Sequence, residues 1–405
     1  MFDRNLVQHL AQRYERFFLY DERILLSRLR QLRSAIPWAD FLYSVKANPH
    51  PQILNTVFRS RFGADASSLG EIRLCLEQGL TPESIFYSAP GKSGFNLEGA
   101  FGRGVLVADS LTEVARIQAL AVQRDMPLEI GLRINPDFTM EKDGGTPSKF
   151  GVDEEQLWSC LSWLHSLSHV RVSGIHVHLR SQVLDAAVMT CYYEEVFKLA
   201  KRMVGALNRP LSYLNLGSGL GIPYAREDSP LDVSALGVGA SSVAEIFHRQ
   251  FPQTRLLIET GRFLVGQAGI YVTRVTDVKT SRGKRFAILD GTLNAFARPV
   301  LAQLAAEWAS SLPPEPHEPL YTCPAPFQIH VLTDETETEP VTLTGNLCTA
   351  ADTVGRDLVL PKLKAGDAVV FTHAGAYGAS LSPDRFASME RTPELFLTED
   401  GQLLV

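Results

Sequence analysis

Eight short apolar runs rich in β-forming residues recur between residues 41 and 259, and segments of helical spacing separate them. They fall at 41–46 (FLYSVK), 62–65 (FGAD), 85–88 (IFYS), 105–108 (VLVA), 128–134 (LEIGLRI), 170–178 (VRVSGIHVH), 212–216 (SYLNL) and 255–259 (RLLIE). Helical spacing is clearest at 68–79, 110–124, 154–166 and 185–207. Such alternation calls for a parallel sheet, because parallel neighbours can be joined only by a long crossover, usually a helix. Eight units match a (β/α)8 TIM barrel, although a doubly wound open sheet satisfies the same periodicity.

After Gly266 the rhythm changes. The segments 268–278, 284–290, 320–332, 340–344 and 367–373 read as strands, with turn residues between them and little helix. Upstream, residues 1–16 read as a polar amphipathic helix and Arg16 to Tyr20 as a short aromatic strand. The expected class is therefore α/β, in three parts. Residues 1–23 form a helix and a strand that joins the β domain, 24–266 form the barrel, and 267–405 form a mostly β domain. The Pro-rich stretch 310–321 reads as a surface loop inside that last domain.

A barrel of this kind carries its chemistry at the C-terminal ends of its strands. Those positions hold Lys46, Asp65, Ser88, Asp109, Arg133, His178, a glycine-rich turn from Gly217, and Glu259. Helix capping alone would account for Asp65, Ser88 and Asp109. It does not account for a lysine, an arginine, a histidine and a glutamate on one rim. Lys46 ends the run FLYSVKANP (41–49), before an Asn-Pro that cannot continue a strand. At a buried strand tip a lysine is partly desolvated, which favours the neutral amine that forms a Schiff base with a carbonyl. Taken alone, a snorkelling strand-end lysine is the simpler reading.

The loops after the last two runs read NLGSGLGIP (215–223) and ETGRF (259–263). Gly217, Ser218 and Gly219 let backbone N–H groups approach an anion, and Gly261 is followed by Arg262, a forked cationic donor. A lysine for an aldehyde, a cradle for a phosphate and a carboxylate behind a buried LLI run are together what pyridoxal 5'-phosphate requires. Glu259 would keep the pyridine nitrogen protonated so that the ring accepts electrons.

Composition narrows the partners. Against 45 Asp+Glu stand 39 Lys+Arg, a formal charge of -6 with no long single-sign run, so nothing draws the chain to nucleic acid or an anionic membrane. A small-molecule substrate is expected. No apolar run reaches bilayer length and charges interrupt the N-terminal segment, so the expected location is the cytoplasm. The five cysteines form no CxxC pair and read as free thiols. Cys75, Cys160, Cys191 and Cys323 are assigned to core packing.

From about residue 16 to its end the chain resembles the fold-type III pyridoxal-phosphate decarboxylases, which include diaminopimelate and ornithine decarboxylases. The motifs that carry the resemblance are YSVKANP (43–49), FGADASSLGEI (62–72), SKFGV (148–152), GIHVHLRSQ (174–182), NLGSGLGIP (215–223), ETGRFLV (259–265), DGTLNAFARP (290–299), GNLCTAAD (345–352) and GAYGAS (375–380). The resemblance implies that Lys46 is the Schiff-base lysine, that Glu259 partners the pyridine nitrogen and that His178 stacks on the ring. Asp65 also belongs to the implied cofactor site, and Ser181, Gly219, Arg262 and Tyr377 surround the phosphate. It further implies a homodimer with shared sites, in which Cys348 of the partner subunit protonates the carbanion; a thiol can donate a proton near neutral pH.

The chain departs from the family at informative places. Arg180 stands where glycine is usual, and Ser218 replaces the middle glycine of a triple-glycine turn. Diaminopimelate decarboxylases follow the cysteine with a glutamate that reads the distal amino group, and ornithine decarboxylases with an aspartate; here it is Thr349. Substrate contacts are therefore expected from Arg133, Arg180, Asp290, Arg298, Thr349 and Asp352. The two arginines Arg180 and Arg298, expected at the site mouth, favour a far end that is acidic or acylated, such as a citryl-diamino acid of carboxylate siderophore synthesis. Free diaminopimelate is the alternative. A racemase on this scaffold would pair the pyridine nitrogen with arginine, and a catalytically silent relative would have lost cofactor residues; Glu259 and the full set argue against both.

Overall fold

The computed structural model describes residues 3–140, 144–217, 219–308 and 327–405. The chain divides into two compact units: Arg28–Gly221 with Leu231–Gly261, and Met1–Ser27 with Ile222–Pro230 and Arg262–Val405. Ile222–Pro230 and the start of the segment from Arg262, read from the sequence as part of 24–266, thus group with the β-rich unit.

The first unit is a closed parallel barrel of eight strands. They are Asp40–Ser44, Gly63–Ala66, Ile85–Tyr87, Val105–Ala108, Leu128–Asn135, Val170–His176, Tyr213–Asn215 and Arg255–Thr260, each beside the next. Pairing of Glu259 with Leu42 and of Thr260 with Tyr43 closes the ring and removes the open-sheet alternative. Helix starts after the second, third and fourth strands are set by Ser68, Ser93 and Ser110. The hydroxyl of each accepts from the backbone N–H three residues on, satisfying a donor that a helix start would leave unpaired. Inside the barrel Leu42, Phe86, Val107, Tyr213 and Leu257 pack together. Gly131 and Gly174 face Tyr213, and a Cβ at either would overlap its side chain, so their glycines make room for one large ring.

Two details differ from expectation. The first strand ends at Ser44, and Val45–Ala47 form a 3-10 turn, so Lys46 sits beyond the strand rather than at its tip. The helix expected over 154–166 is two, Glu154–Ser159 and Leu161–Ser166, divided at Cys160.

The second unit is built on a mixed sheet. Arg16–Asp21 lies antiparallel to Gly269–Ser281 and parallel to Glu394–Leu397. Gly269–Ser281 also pairs with Lys284–Leu289 and Ala368–Phe371, while Thr338–Gly345 links Lys284–Leu289 to Thr353–Pro361. Val7, Leu10, Phe17, Leu19, Val272, Val370 and Leu395 form its core with their neighbours, which is how the N-terminal helix Arg4–Arg13 and the first strand come to belong to this sheet. The helix Ala297–Trp308 was not anticipated. Its sequence ARPVLAQLAAEW is dense in strong helix formers, and a proline in the first turn costs no internal hydrogen bond. The strands Thr353–Pro361 and Glu394–Leu397 were also unforeseen. The stretch 310–321 and the start of the expected strand 320–332 lie outside the described residues; the described strand there is Ile329–Leu332.

Candidate functional site

On the barrel rim, Asp65 organises the end of the first strand. It is fully buried; Oδ1 accepts from Ser88 Oγ at 2.5 Å, and Oδ2 accepts from Ser44 Oγ at 3.0 Å and from Lys46 Nζ at 3.5 Å. Asp65 and Ser88 are therefore partners and not helix caps. The Lys46 side chain, on the 3-10 turn past the first strand, is 47% exposed, so the expected desolvation is absent. Gly261 lies beside this turn, where a Cβ would stand 2.8 Å from that of Ala47 and 3.1 Å from that of Ser44.

Arg133 is buried, 3.6 Å from Asp109 and with its guanidinium 4.4 Å from the centre of the Phe150 ring in the SKFGV segment. Burial raises the Asp109 pKa, and Arg133 only partly opposes it. Nearby Lys92, which sequence reasoning passed over, is buried and donates to Ala89 O, Val107 O and Glu113 at 2.5 Å; burial lowers its pKa against the pull of Glu113.

Glu259, on the eighth strand, is buried. Its Oε1 accepts from Asn215 Nδ2 at 2.8 Å and lies 3.2 Å from His176 Nε2. Burial alone would push this carboxyl up, yet His176, with help from Lys46, holds it well below the usual carboxylate range. His178 lies two residues past the strand Val170–His176. Desolvation lowers its pKa to about 3, against the pull of Glu259, so the imidazole is neutral. Asn215 and His176 were missed by sequence reasoning, although both lie inside motifs quoted above; an apolar-run analysis has no means of flagging a buried polar residue within a strand.

Past the seventh strand the chain turns at Gly217, whose φ of +66° suits glycine and where a Cβ would overlap the Val177 carbonyl. A Cβ at Gly219 would stand 3.0 Å from Arg180 O. Ser181 and Arg180 are half-buried on the segment after His178. Ser218 lies outside the described residues.

In the β-rich unit, Arg262 and Arg298 are both buried, and among the described residues neither has a carboxylate within ion-pair reach. Both donate through Nη1 to the hydroxyl of Tyr224, at 3.2 and 3.0 Å, and Arg298 also donates to Ala376 O at 3.0 Å. The Arg262 guanidinium lies 5.3 Å from the centre of the Tyr377 ring, and Tyr377 holds a φ of +55°, uncommon outside glycine. Among the described residues, Arg262 Nη2 and Arg298 Nε and Nη2 are buried without a hydrogen-bond partner. Burial raises the Tyr224 pKa, but the two cations outweigh it and lower it. Arg298, expected at a site mouth, is instead only 1% exposed, held there by Tyr224 and Ala376.

Asp290 and Asp352, expected as substrate contacts, hold partners within the chain. Asp290 pairs with Arg16 at 2.7 Å and accepts from Asn346 at 3.3 Å. Asp352 is buried, accepting from Thr292 Oγ1, from Leu293 N at 3.0 Å and from Leu347 N at 3.1 Å. It ties down the loop that carries Cys348 and Thr349. Cys348 is exposed, and Thr349 Oγ1 accepts from Ala351 N at 3.3 Å. Of the cysteines assigned to the core, Cys75 is buried and Cys160 half-buried, Cys191 is exposed on the helix Ala186–Leu207, and Cys323 lies outside the described residues. No helix among the described residues is long and apolar enough to cross a membrane.

Residues 23–266 match the family model described as pyridoxal-dependent decarboxylase, pyridoxal binding domain. The L-glutamyl-[BtrI acyl-carrier protein] decarboxylase of Niallia circulans is 33% identical over 98% of this chain and 92% of its own. The 2-[(L-alanin-3-ylcarbamoyl)methyl]-2-hydroxybutanedioate decarboxylase of Staphylococcus aureus is 28% identical over 94% of each. Among solved structures, diaminopimelate decarboxylase from Helicobacter pylori complexed with L-lysine superposes with a TM-score of 0.83 at 28% identity, covering 98% of this chain and 95% of that one.

Proposed function

The chain belongs to the pyridoxal-dependent decarboxylases, and from that premise we propose that it removes the α-carboxylate of an amino acid whose distal end is acylated and carries no free ammonium. The observation that carries this reading is the loop after Cys348. Thr349 stands there in place of an acidic residue, and the loop's own carboxylate, Asp352, is buried and taken up by Thr292, Leu293 and Leu347. A distal ammonium would find no carboxylate to pair with in this loop, and leaving a charge unpaired in a desolvated site is costly. The Niallia circulans and Staphylococcus aureus relatives are named for substrates whose amino-acid part is carried through an acyl linkage. A citryl-diamino acid of siderophore synthesis has this chemistry; a carrier-protein-bound amino acid is the second reading, favoured by the 33% relative.

The residues suit the cofactor. Gly217 and Gly219 let the turn pack against Val177 and Arg180 where a side chain would clash, and among the described residues Arg262 offers a buried guanidinium nitrogen without a partner and Glu259 Oε2 makes no hydrogen bond. When bound, pyridoxal phosphate supplies the electron sink for the pair left on the α-carbon as carbon dioxide departs. In the proposed assignment the Lys46 amine holds its aldehyde, and Asp65 steers that amine from 3.5 Å. Glu259, kept ionised, retains a proton at the pyridine nitrogen. His178, kept neutral, offers a face to the ring without adding charge. Ser181, the Gly217–Gly219 turn with Ser218, Gly261, Arg262 and Tyr377 bind the phosphate. Cys348, supplied by the partner subunit of a homodimer, returns a proton to the α-carbon.

Carbon dioxide release measured across citryl-diamino acids, carrier-protein-bound amino acids and free diamino acids tests the reading. Turnover confined to free diamino acids would overturn it.

A further inference from the structure

Asn215 ends the seventh barrel strand, fully buried between the strands Val170–His176 and Arg255–Thr260. Its Oδ1 accepts from Gly217 N at 2.9 Å and its Nδ2 donates to Glu259 Oε1 at 2.8 Å. A backbone N–H can only donate and an ionised carboxylate can only accept, so both ends of the amide are oriented without ambiguity. Glu259 N donates in turn to Gly217 O at 2.8 Å, which closes a ring of three hydrogen bonds through Asn215, Gly217 and Glu259. One ring therefore joins a carboxylate to the start of a glycine-rich turn whose first residue is held at φ +66°.

We propose that Asn215 is a positioning residue that sets both cofactor-facing groups of the barrel at once, the Glu259 carboxylate through its amide nitrogen and the turn from Gly217 through its amide oxygen. This rests on the reading above, in which Glu259 partners the pyridine nitrogen and the turn receives the phosphate. Because Oε1 is held by Asn215 with His176 beside it, Oε2 is the oxygen presented to a ring. Because Gly217 N is committed to Asn215, the direction in which the chain leaves toward Gly219 is set by the same side chain. Alanine at 215 would leave a buried N–H and a buried carboxylate oxygen each short of a partner. Aspartate, nearly isosteric, would replace the donor by a charge facing Glu259 and raise the proton affinity of the pair.

Asn215→Ala and Asn215→Asp are compared with Glu259→Gln, using apoprotein titrated with pyridoxal phosphate and with unphosphorylated pyridoxal. The pH dependence of the bound cofactor's visible absorbance, kcat and KM are measured on the same variants. Loss of Asn215 should weaken pyridoxal phosphate by about tenfold or more and narrow the preference for it over pyridoxal. It should also move the absorbance pH profile in the direction set by Glu259→Gln, with kcat falling more than KM rises. Should Asn215→Ala not fold, Asn215→Asp carries the same comparisons. Wild-type preference and pH profile in both Asn215 variants, with a shifted profile in Glu259→Gln, overturn the role of Asn215 alone. An unchanged profile in Glu259→Gln overturns the assignment of Glu259 on which the proposal stands.

Discussion

The Tyr224 hydroxyl accepts from Arg298 at 3.0 Å while accepting from Arg262 at 3.2 Å, so one oxygen serves two buried guanidinium groups. Like charges brought together without a nearby carboxylate repel, and the polarised phenol is what offsets them. Tyr224→Phe removes that oxygen and leaves two buried donors short of an acceptor. Urea unfolding of the apoprotein should show a loss of about 1–3 kcal/mol, partly recovered in phosphate buffer if the cluster receives an anion. Wild-type stability in chloride buffer would remove this account of the cluster.

The Lys46 amine is half exposed and 3.5 Å from Asp65, an arrangement that leaves it reachable by an aldehyde. Borohydride reduction of the loaded protein should fix the cofactor to the peptide containing Lys46, read by mass spectrometry. The same adduct on that peptide in Lys46→Ala would show that another group holds the aldehyde.

The pH dependence of apoprotein stability has a contribution of defined sign from His178. Its folded pKa is lowered to about 3 from 6.5, so the contribution is full above about pH 6.5 and is lost as pH falls toward 3, because the unfolded chain binds the proton first. Between pH 7 and pH 5 wild type should lose about 2 kcal/mol more than His178→Phe. Equal losses in urea titrations at the two pH values would mean that His178 is protonated in the folded protein.

The barrel was legible because each strand is a short apolar run and several crossovers carry a 3.6-residue period. What escaped the sequence was pairing. Whether Asp290 and Asp352 face a substrate or a neighbour depends on Arg16 and Thr292, residues 274 and 60 positions away along the chain. Burial of Arg298 depends on Tyr224, in a segment that leaves the barrel between Gly221 and Leu231. The helix Ala297–Trp308 was hard to see because Pro299 interrupts its first turn, although its composition favours helix.

If the homodimer shares its sites, Lys46→Ala and Cys348→Ala remove groups supplied by different subunits. Mixed under conditions that allow exchange, the two inactive proteins should regain up to about a quarter of wild-type activity, since half of the dimers at random pairing are hybrids with one intact site of two. The exposure of Cys348 suits a residue that serves another subunit. Absence of recovery, with hybrids demonstrated by differential tagging, would place each site within a single chain.

The proposed substrate class rests on what stands after Cys348. Thr349 brings no charge, its hydroxyl accepts from Ala351 N, and Asp352 cannot turn toward a ligand without abandoning Thr292, Leu293 and Leu347. A far-end ammonium would lose its hydration without gaining a counter-ion, whereas an amide or thioester carbonyl brings no charge to bury. The expected kcat/KM for a citryl-diamino acid or a carrier-bound substrate therefore exceeds that for meso-diaminopimelate by about a hundredfold or more. Introducing the missing carboxylate should move the preference. Thr349→Glu is expected to raise kcat/KM for meso-diaminopimelate about tenfold, the worth of one hydrogen bond to a charged group, while lowering it for the acylated substrate. A wild-type enzyme that already favours meso-diaminopimelate, with Thr349→Glu making no difference, would mean that the distal ammonium is read by residues other than this loop.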